Sequence, residues 1–153
     1  MDKNFSPSGY TITVDSHSIF QIELHSVYSN SVYLQKAESI TQTISEILGE
    51  CSAFNWDDEG AQPISPITAS IAEKIANSLP IVSNRPSVFP MASGKIAFQW
   101  IAENKTAFLL SVDDRGKITY SAVLKDGEKK NGSKTFSGTL PSDISEPLLR
   151  GAV

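Results

Sequence analysis

Asp57, Asp58 and Glu59 put three carboxylates in a row inside the stretch FNWDDEGAQPIS, residues 54–65. Carboxylates so concentrated can ligate a hard divalent cation, and a metal held that way can activate water for hydrolysis. One of them could equally serve as a general base. Consecutive side chains on an extended chain diverge, however, so a cation site here would need a further acid or histidine from elsewhere in the fold. The other adjacent pair, Asp113 and Asp114, sits in the turn pattern DDRG, where aspartate serves the backbone. The alternating oxygen ligands, central glycine and distal glutamate of a calcium loop are missing.

The remaining reactive side chains are isolated. His17 falls in the turn DSHS and His25 on the polar side of an alternating segment, with no His, Cys or Glu at ligand spacing. Cys51 is the single cysteine, which rules out an internal disulfide and a cysteine-rich zinc site. Neither a serine nucleophile elbow nor a glycine-rich phosphate loop is present. The sequence therefore assigns no catalytic residue, no metal ligand and no cofactor.

The elements that hold these residues are easier to read. Tyr10, Ile12 and Val14 alternate with polar residues, and Phe20, Ile22 and Leu24 do the same against Gln21, Glu23 and His25. This period of two predicts an N-terminal hairpin. From Tyr33 to Leu48 the spacing becomes helical, with Ala37, Ile40, Ile44 and Ile47 on one stripe and Gly49 as the stop. Ser65 and Pro66 form a cap and first turn for a second helix, whose expected buried face is Ile67, Ile71, Ile75 and Leu79 and whose end is Pro80.

The two prolines of RPSVFP predict an edge strand or extended connection. Three alternating segments follow: Ile96, Phe98 and Trp100; then Thr106, Phe108, Leu110 and Val112; then Ile118, Tyr120, Ala122 and Leu124. Joins as short as AENK and DDRG predict a meander of hairpins. A short strand, KTFSG, and a helical turn packing through Leu148 and Leu149 are expected after it. The sum is an α+β fold: a mostly antiparallel sheet, made from the N-terminal hairpin and the C-terminal meander, with two helices packed on one face. No repeat, low-complexity tract or linker marks a boundary, so one domain over residues 1–153 is expected.

Between the two helices the stretch at 54–65 also reads as architecture. Trp56 is large enough to plug the space where helices meet a sheet, Asn55 and Asp57 form turns with local backbone, Gly60 reaches φ values closed to other residues, Ala61 permits close approach, and Pro63 stiffens the entry to the second helix.

Composition narrows the partners. A net charge of −4 argues against general nucleic-acid binding, which draws on clustered cations. The one basic cluster, Lys125, Lys129, Lys130 and Lys134, reads as a solvated hairpin tip. No apolar run is long enough to span a bilayer, and the start MDKNFSPSGYTITV lacks the pattern of an export signal. A cytoplasmic protein is expected.

The motifs NWDDEGAQPI, PSVFP and GKIAFQW together resemble a loose group of small bacterial proteins of unassigned function, over residues 54–124. The shared pattern is N-W-D-x-x-G-A-x-P-I, a helix, P-x-V-x-P and G-x-I-x-x-x-W. Asn55, Trp56, Asp57, Gly60, Ala61, Pro63, Ile64, Pro86, Val88, Pro90, Gly94, Ile96 and Trp100 fall on it, while Asp58 and Glu59 depart from it. The resemblance implies an accessory protein of mobile-element, toxin–antitoxin or antiviral defence loci, and it supplies no catalytic residue.

Two functional readings remain open. In one the chain is a noncatalytic binding protein, an antitoxin, immunity or anti-phage component. It would contact a basic toxin or nuclease, or a second copy of itself, through Glu23, His25, Asp57, Asp58 and Glu59. In the other it is a small divalent-metal-dependent hydrolase or nuclease-like enzyme that uses the acids at 57–59.

Overall fold

Alternating apolar residues build the sheet that carries everything else. The computed structural model describes residues 39–81, 83–103 and 106–149, all within one compact unit, Lys36–Val153. Strands β1 (Ser87–Pro90), β2 (Ile96–Ile101), β3 (Ala107–Val112), β4 (Lys117–Val123) and β5 (Lys129–Thr135) lie side by side in chain order, every neighbour antiparallel. Registers align Phe98, Leu110, Tyr120 and Gly132 in one row across the sheet, and Trp100, Phe108, Ala122 and Lys130 in the next. Because successive residues of a strand face opposite sides, both rows share one face. Phe98, Trp100, Phe108 and Leu110 are buried there.

Three helices among the described residues cover that face, the two expected and, as the third, the expected C-terminal helical turn. Helix α1 (39–50 as described) contributes Ile40, Ile44 and Ile47; α2 (Pro66–Asn77) contributes Ala69, Ala72, Ile75 and Ala76; α3 (Ser142–Leu149) contributes Ile144 and Leu148. Together with the sheet's apolar face they form one continuous cluster. A fold with helices collected on one side of an antiparallel sheet is α+β. The expected hairpin over residues 10–25, with Glu23 and His25, and the first helix's Tyr33 and Ala37 lie outside the described residues.

The start of α2 follows its sequence. Ser65 is extended at φ −81° and its Oγ accepts the Thr68 N–H at 3.1 Å, while Pro66 occupies the first turn. Of its expected stripe Ile75 and Leu79 are buried and Ile71 packs against the core, but Ile67 is 60% exposed, and Thr68, Ala69, Ala72 and Ala76 are buried as well. Gly49 does not end α1: the helix runs through Glu50, and the Cys51 N–H still donates to the Ile47 carbonyl at 2.8 Å.

The basic cluster also differs from expectation. Only Lys125 lies in the turn between β4 and β5, whereas Lys129, Lys130 and Lys134 are strand residues. As the outermost strand with both sides mostly exposed, β5 needs no apolar alternation, and lysines on such an edge discourage pairing with other chains. Phe136, expected within a short KTFSG strand, lies beyond its end, where its N–H donates to the Gly116 carbonyl. In α3 it is Ile144 that packs inward beside Leu148, while Leu149 is 54% exposed.

Candidate functional site

The link between α1 and α2 closes on itself residue by residue. Asn55 stands at φ 63° and Asp58 at φ 62°, in the left-handed region that asparagine and aspartate tolerate best after glycine. The Asn55 N–H donates to the Ala61 carbonyl at 2.8 Å, and the Asn55 side-chain oxygen accepts the Gly60 N–H at 2.6 Å. Asp57 turns Oδ1 back onto the loop and accepts two amides, Glu59 at 2.9 Å and Ala61 at 3.0 Å. Those two donors hold its carboxyl below the ordinary aspartate range, the Ala61 amide most strongly.

This loop is then fastened to its surroundings. The Trp56 ring packs against the core, and its indole N–H donates to the Gln62 carbonyl at 2.9 Å. The Ile64 N–H donates to the Cys51 carbonyl at 2.8 Å, tying the end of α1 to the entry of α2. Ala61 and Ile64 are buried. Across the gap, the Gln62 N–H donates to the Ala92 carbonyl in the turn between β1 and β2. Gly94, at φ 80°, closes that contact: a Cβ there would stand 3.2 Å from the Pro63 carbonyl oxygen. Trp100, buried between Phe98 and Phe108, donates its indole N–H to the Asn84 carbonyl at 2.8 Å. Residues 51–64 thus meet the turn at 92–94 as one corner.

What remains outward on the corner is specific. Phe54 is 66% exposed, and Asn55, Asp58 and Glu59 are exposed beside it in the chain. The three acids do different things: Asp57 serves the loop, while Asp58 and Glu59 face solvent. Among the described residues no group of three or more His, Cys, Asp or Glu side chains is placed to hold a metal ion. Cys51 is buried, and burial together with the Glu50 charge pushes its thiol pKa up, which lowers its nucleophilic fraction.

A second feature, concave rather than convex, lies between the sheet and α3. Phe108, Tyr120, Ala122 and Leu124 line its sheet side, Lys130 its edge, and Asp143, Glu146 and Pro147 its helix side, around about 400 Å³. The Phe108 and Tyr120 rings are parallel within 4°, with centroids 6.1 Å apart. Tyr120 reaches across Gly132, where a Cβ would stand 2.7 Å from the tyrosine hydroxyl. Helix α3 is anchored by Ile144 and Leu148 and by a 2.9 Å ion pair between Asp143 and Lys134. That pairing lowers the Asp143 pKa and raises that of Lys134.

No protein-family model, curated protein or solved structure matches this chain. The cleft was missed in the sequence because its walls come from β3, β4, β5 and α3, whose juxtaposition no local pattern records. Phe54 was missed for a simpler reason: a lone aromatic before a turn carries no periodicity to show whether it points in or out. Among the described residues, no helix is long and apolar enough to cross a membrane.

Proposed function

We propose that this chain is a noncatalytic protein-binding module of the cytoplasm, acting as an antitoxin, immunity protein or anti-phage defence component, and that the corner at 54–61 is its contact surface. One observation carries the reading: a loop whose backbone is held by its own Asn55, Asp57 and Trp56 side chains presents an exposed phenylalanine next to two exposed carboxylates. A pre-ordered loop loses little conformational entropy on binding, which favours affinity. An exposed aromatic supplies the apolar anchor that interface centres use. Asp58 and Glu59 would steer the surface toward a basic partner such as a toxin or nuclease. The chain's net charge of −4 acts in the same direction.

The test compares wild type with the triple variant Phe54→Ser, Asp58→Lys, Glu59→Lys as baits in the native bacterium, after their thermal unfolding is shown to coincide. The expected result is a stoichiometric basic protein captured by wild type and lost from the variant. Capture of the same protein by both, or recovery of wild type alone, would contradict the assignment.

A further inference from the structure

Strand β5 carries a chemically labile dipeptide on an exposed edge. Asn131-Gly132 is the one place in the chain where glycine follows asparagine. Asparagine is thermolabile, and most so before glycine, because no side chain then hinders attack by the next backbone nitrogen on the side-chain amide. Asn131 is exposed, on the outermost strand of the sheet. The fold itself calls for that glycine. Gly132 lies opposite Tyr120, and a Cβ on it would stand 2.7 Å from the tyrosine hydroxyl. A side chain at 132 would have to displace the ring that stacks on Phe108.

Pairing with β4 holds the reaction back. At one end of the ladder the Leu124 N–H donates to the Glu128 carbonyl, and beyond the other the Phe136 N–H donates to the Gly116 carbonyl. Hydrogen-bonded pairs alternate along an antiparallel ladder, and counting inward from either end sets Gly132 in such a pair with Tyr120. The Gly132 N–H is thereby engaged, and the extended backbone keeps its nitrogen away from the Asn131 side-chain carbon. Both restraints go together when β5 unpairs. A strand with one neighbour and mostly exposed residues is where local opening costs least.

We infer that Asn131 is a site of spontaneous deamidation, gated by the unpairing of β5 from β4. In the open strand the Gly132 nitrogen bonds to Cγ of Asn131, the Cγ–Nδ2 bond breaks, and ammonia leaves with the Gly132 amide proton, giving a succinimide. Water, the only co-reactant, then opens the ring. Cleavage between Cγ and the ring nitrogen gives aspartate, and cleavage at the backbone carbonyl gives isoaspartate. Either product puts a carboxylate on the strand that carries Lys129, Lys130 and Lys134. Isoaspartate also lengthens the backbone by a methylene, which disturbs the register that sets Lys134 beside Asp143. The inference does not depend on the corner, because no residue is common to the two regions.

The experiment ages the full chain in mildly alkaline buffer, folded and in urea, and follows aspartate and isoaspartate at Asn131 by peptide mapping with mass spectrometry. Hydrogen exchange at the Gly132 amide, measured on the same folded chain, gives the fraction of time for which the strand is open. Folding is expected to slow deamidation by the same factor as it slows Gly132 exchange, to within about an order of magnitude, since both reactions need the same opening. Equal deamidation rates in the folded and unfolded chain would overturn the inference. So would disagreement between the two factors beyond that margin, in either direction.

Discussion

The corner and the cleft use the same kinds of side chain to opposite ends. In the corner, polar groups turn inward on the loop's own backbone, as Asn55 does to Gly60 and Asp57 to Glu59 and Ala61. Each bond lies within six residues, so the loop is built locally and its outer surface is free to meet another molecule. In the cleft the polar groups come from distant segments, Lys130 from an edge strand and Asp143 and Glu146 from the last described helix. There Asp143 meets the side chain of Lys134 rather than backbone. A run of acids is therefore not in itself a site: at 57–59 the first acid is structural, and only the next two are available to a partner.

Removing the indole should separate the regions most sharply. Trp56→Ala takes away both core packing and the bond to Gln62, and is expected to cost about 3 kcal/mol in denaturant unfolding. The sheet and α3 should suffer only through global stability, so the amide resonances of Tyr120 and Lys130 should keep their wild-type positions in the folded fraction. A cost below about 1 kcal/mol, the level of an ordinary surface change, would mean the ring is not what holds the corner.

Next in size is the contact between the corner and the turn joining β1 to β2. Gly94→Ala places a methyl 3.2 Å from the Pro63 oxygen, at a φ of 80°. The expected loss is about 2 kcal/mol. The same change at Gly127 in the turn between β4 and β5, φ 81° with open space around it, should cost about 1 kcal/mol. Thermal unfolding of the pair reads the difference, and equal losses would remove the role given to the backbone approach.

Much of this was legible in the chain, for identifiable reasons. Three segments between Ile96 and Leu124 alternate because one face of β2, β3 and β4 is buried, and burial is what writes period two into a sequence. The cap at Ser65 and the turn residues of the corner were legible because their chemistry is local. By contrast β5 carries almost no apolar residues, since its edge position asks for none, and it read as a loop. The inner face of α2 mixes Ile75 with Ala69, Ala72 and Ala76, and alanine is too small to announce which face is buried, so Ile67 was placed on the wrong side. The cleft requires knowing that Ala122 pairs with Lys130 and that α3 returns over both, which is tertiary information.

The third prediction concerns pH. Asp57 has its carboxyl pKa lowered by the Ala61 and Glu59 amides, so the folded state favours the ionised form. Its contribution to stability is present above the unfolded value of about 4, and it is lost as the pH falls through the lowered folded value. Asp57→Asn keeps an acceptor oxygen but cannot titrate. Its unfolding midpoint should therefore decline less steeply than that of wild type below pH 4, with the two curves parallel above pH 5. Parallel curves throughout would remove the ionised carboxylate from the account.

The smallest effect belongs to the cleft's rim. Lys134 and Asp143 are paired at 2.9 Å with both side chains about half exposed, and exposed pairs are weak and screened by salt. Lys134→Met should leave the melting temperature nearly unchanged in 0.5 M salt. A large shift there would show that the ion pair, rather than Ile144 and Leu148, holds α3 in place.

Amide hydrogen exchange at Glu59, Gly60 and Ala61 tests the pre-built corner most directly. With side-chain acceptors on all three N–H groups, slowed exchange is predicted in the wild-type chain without any partner. In Asp57→Ala, protection should be lost at Glu59 while the amides of β3 remain slow. Exchange of all three at the rate of an unstructured peptide in the wild type would contradict the account, because the loop would then have no fixed surface to offer.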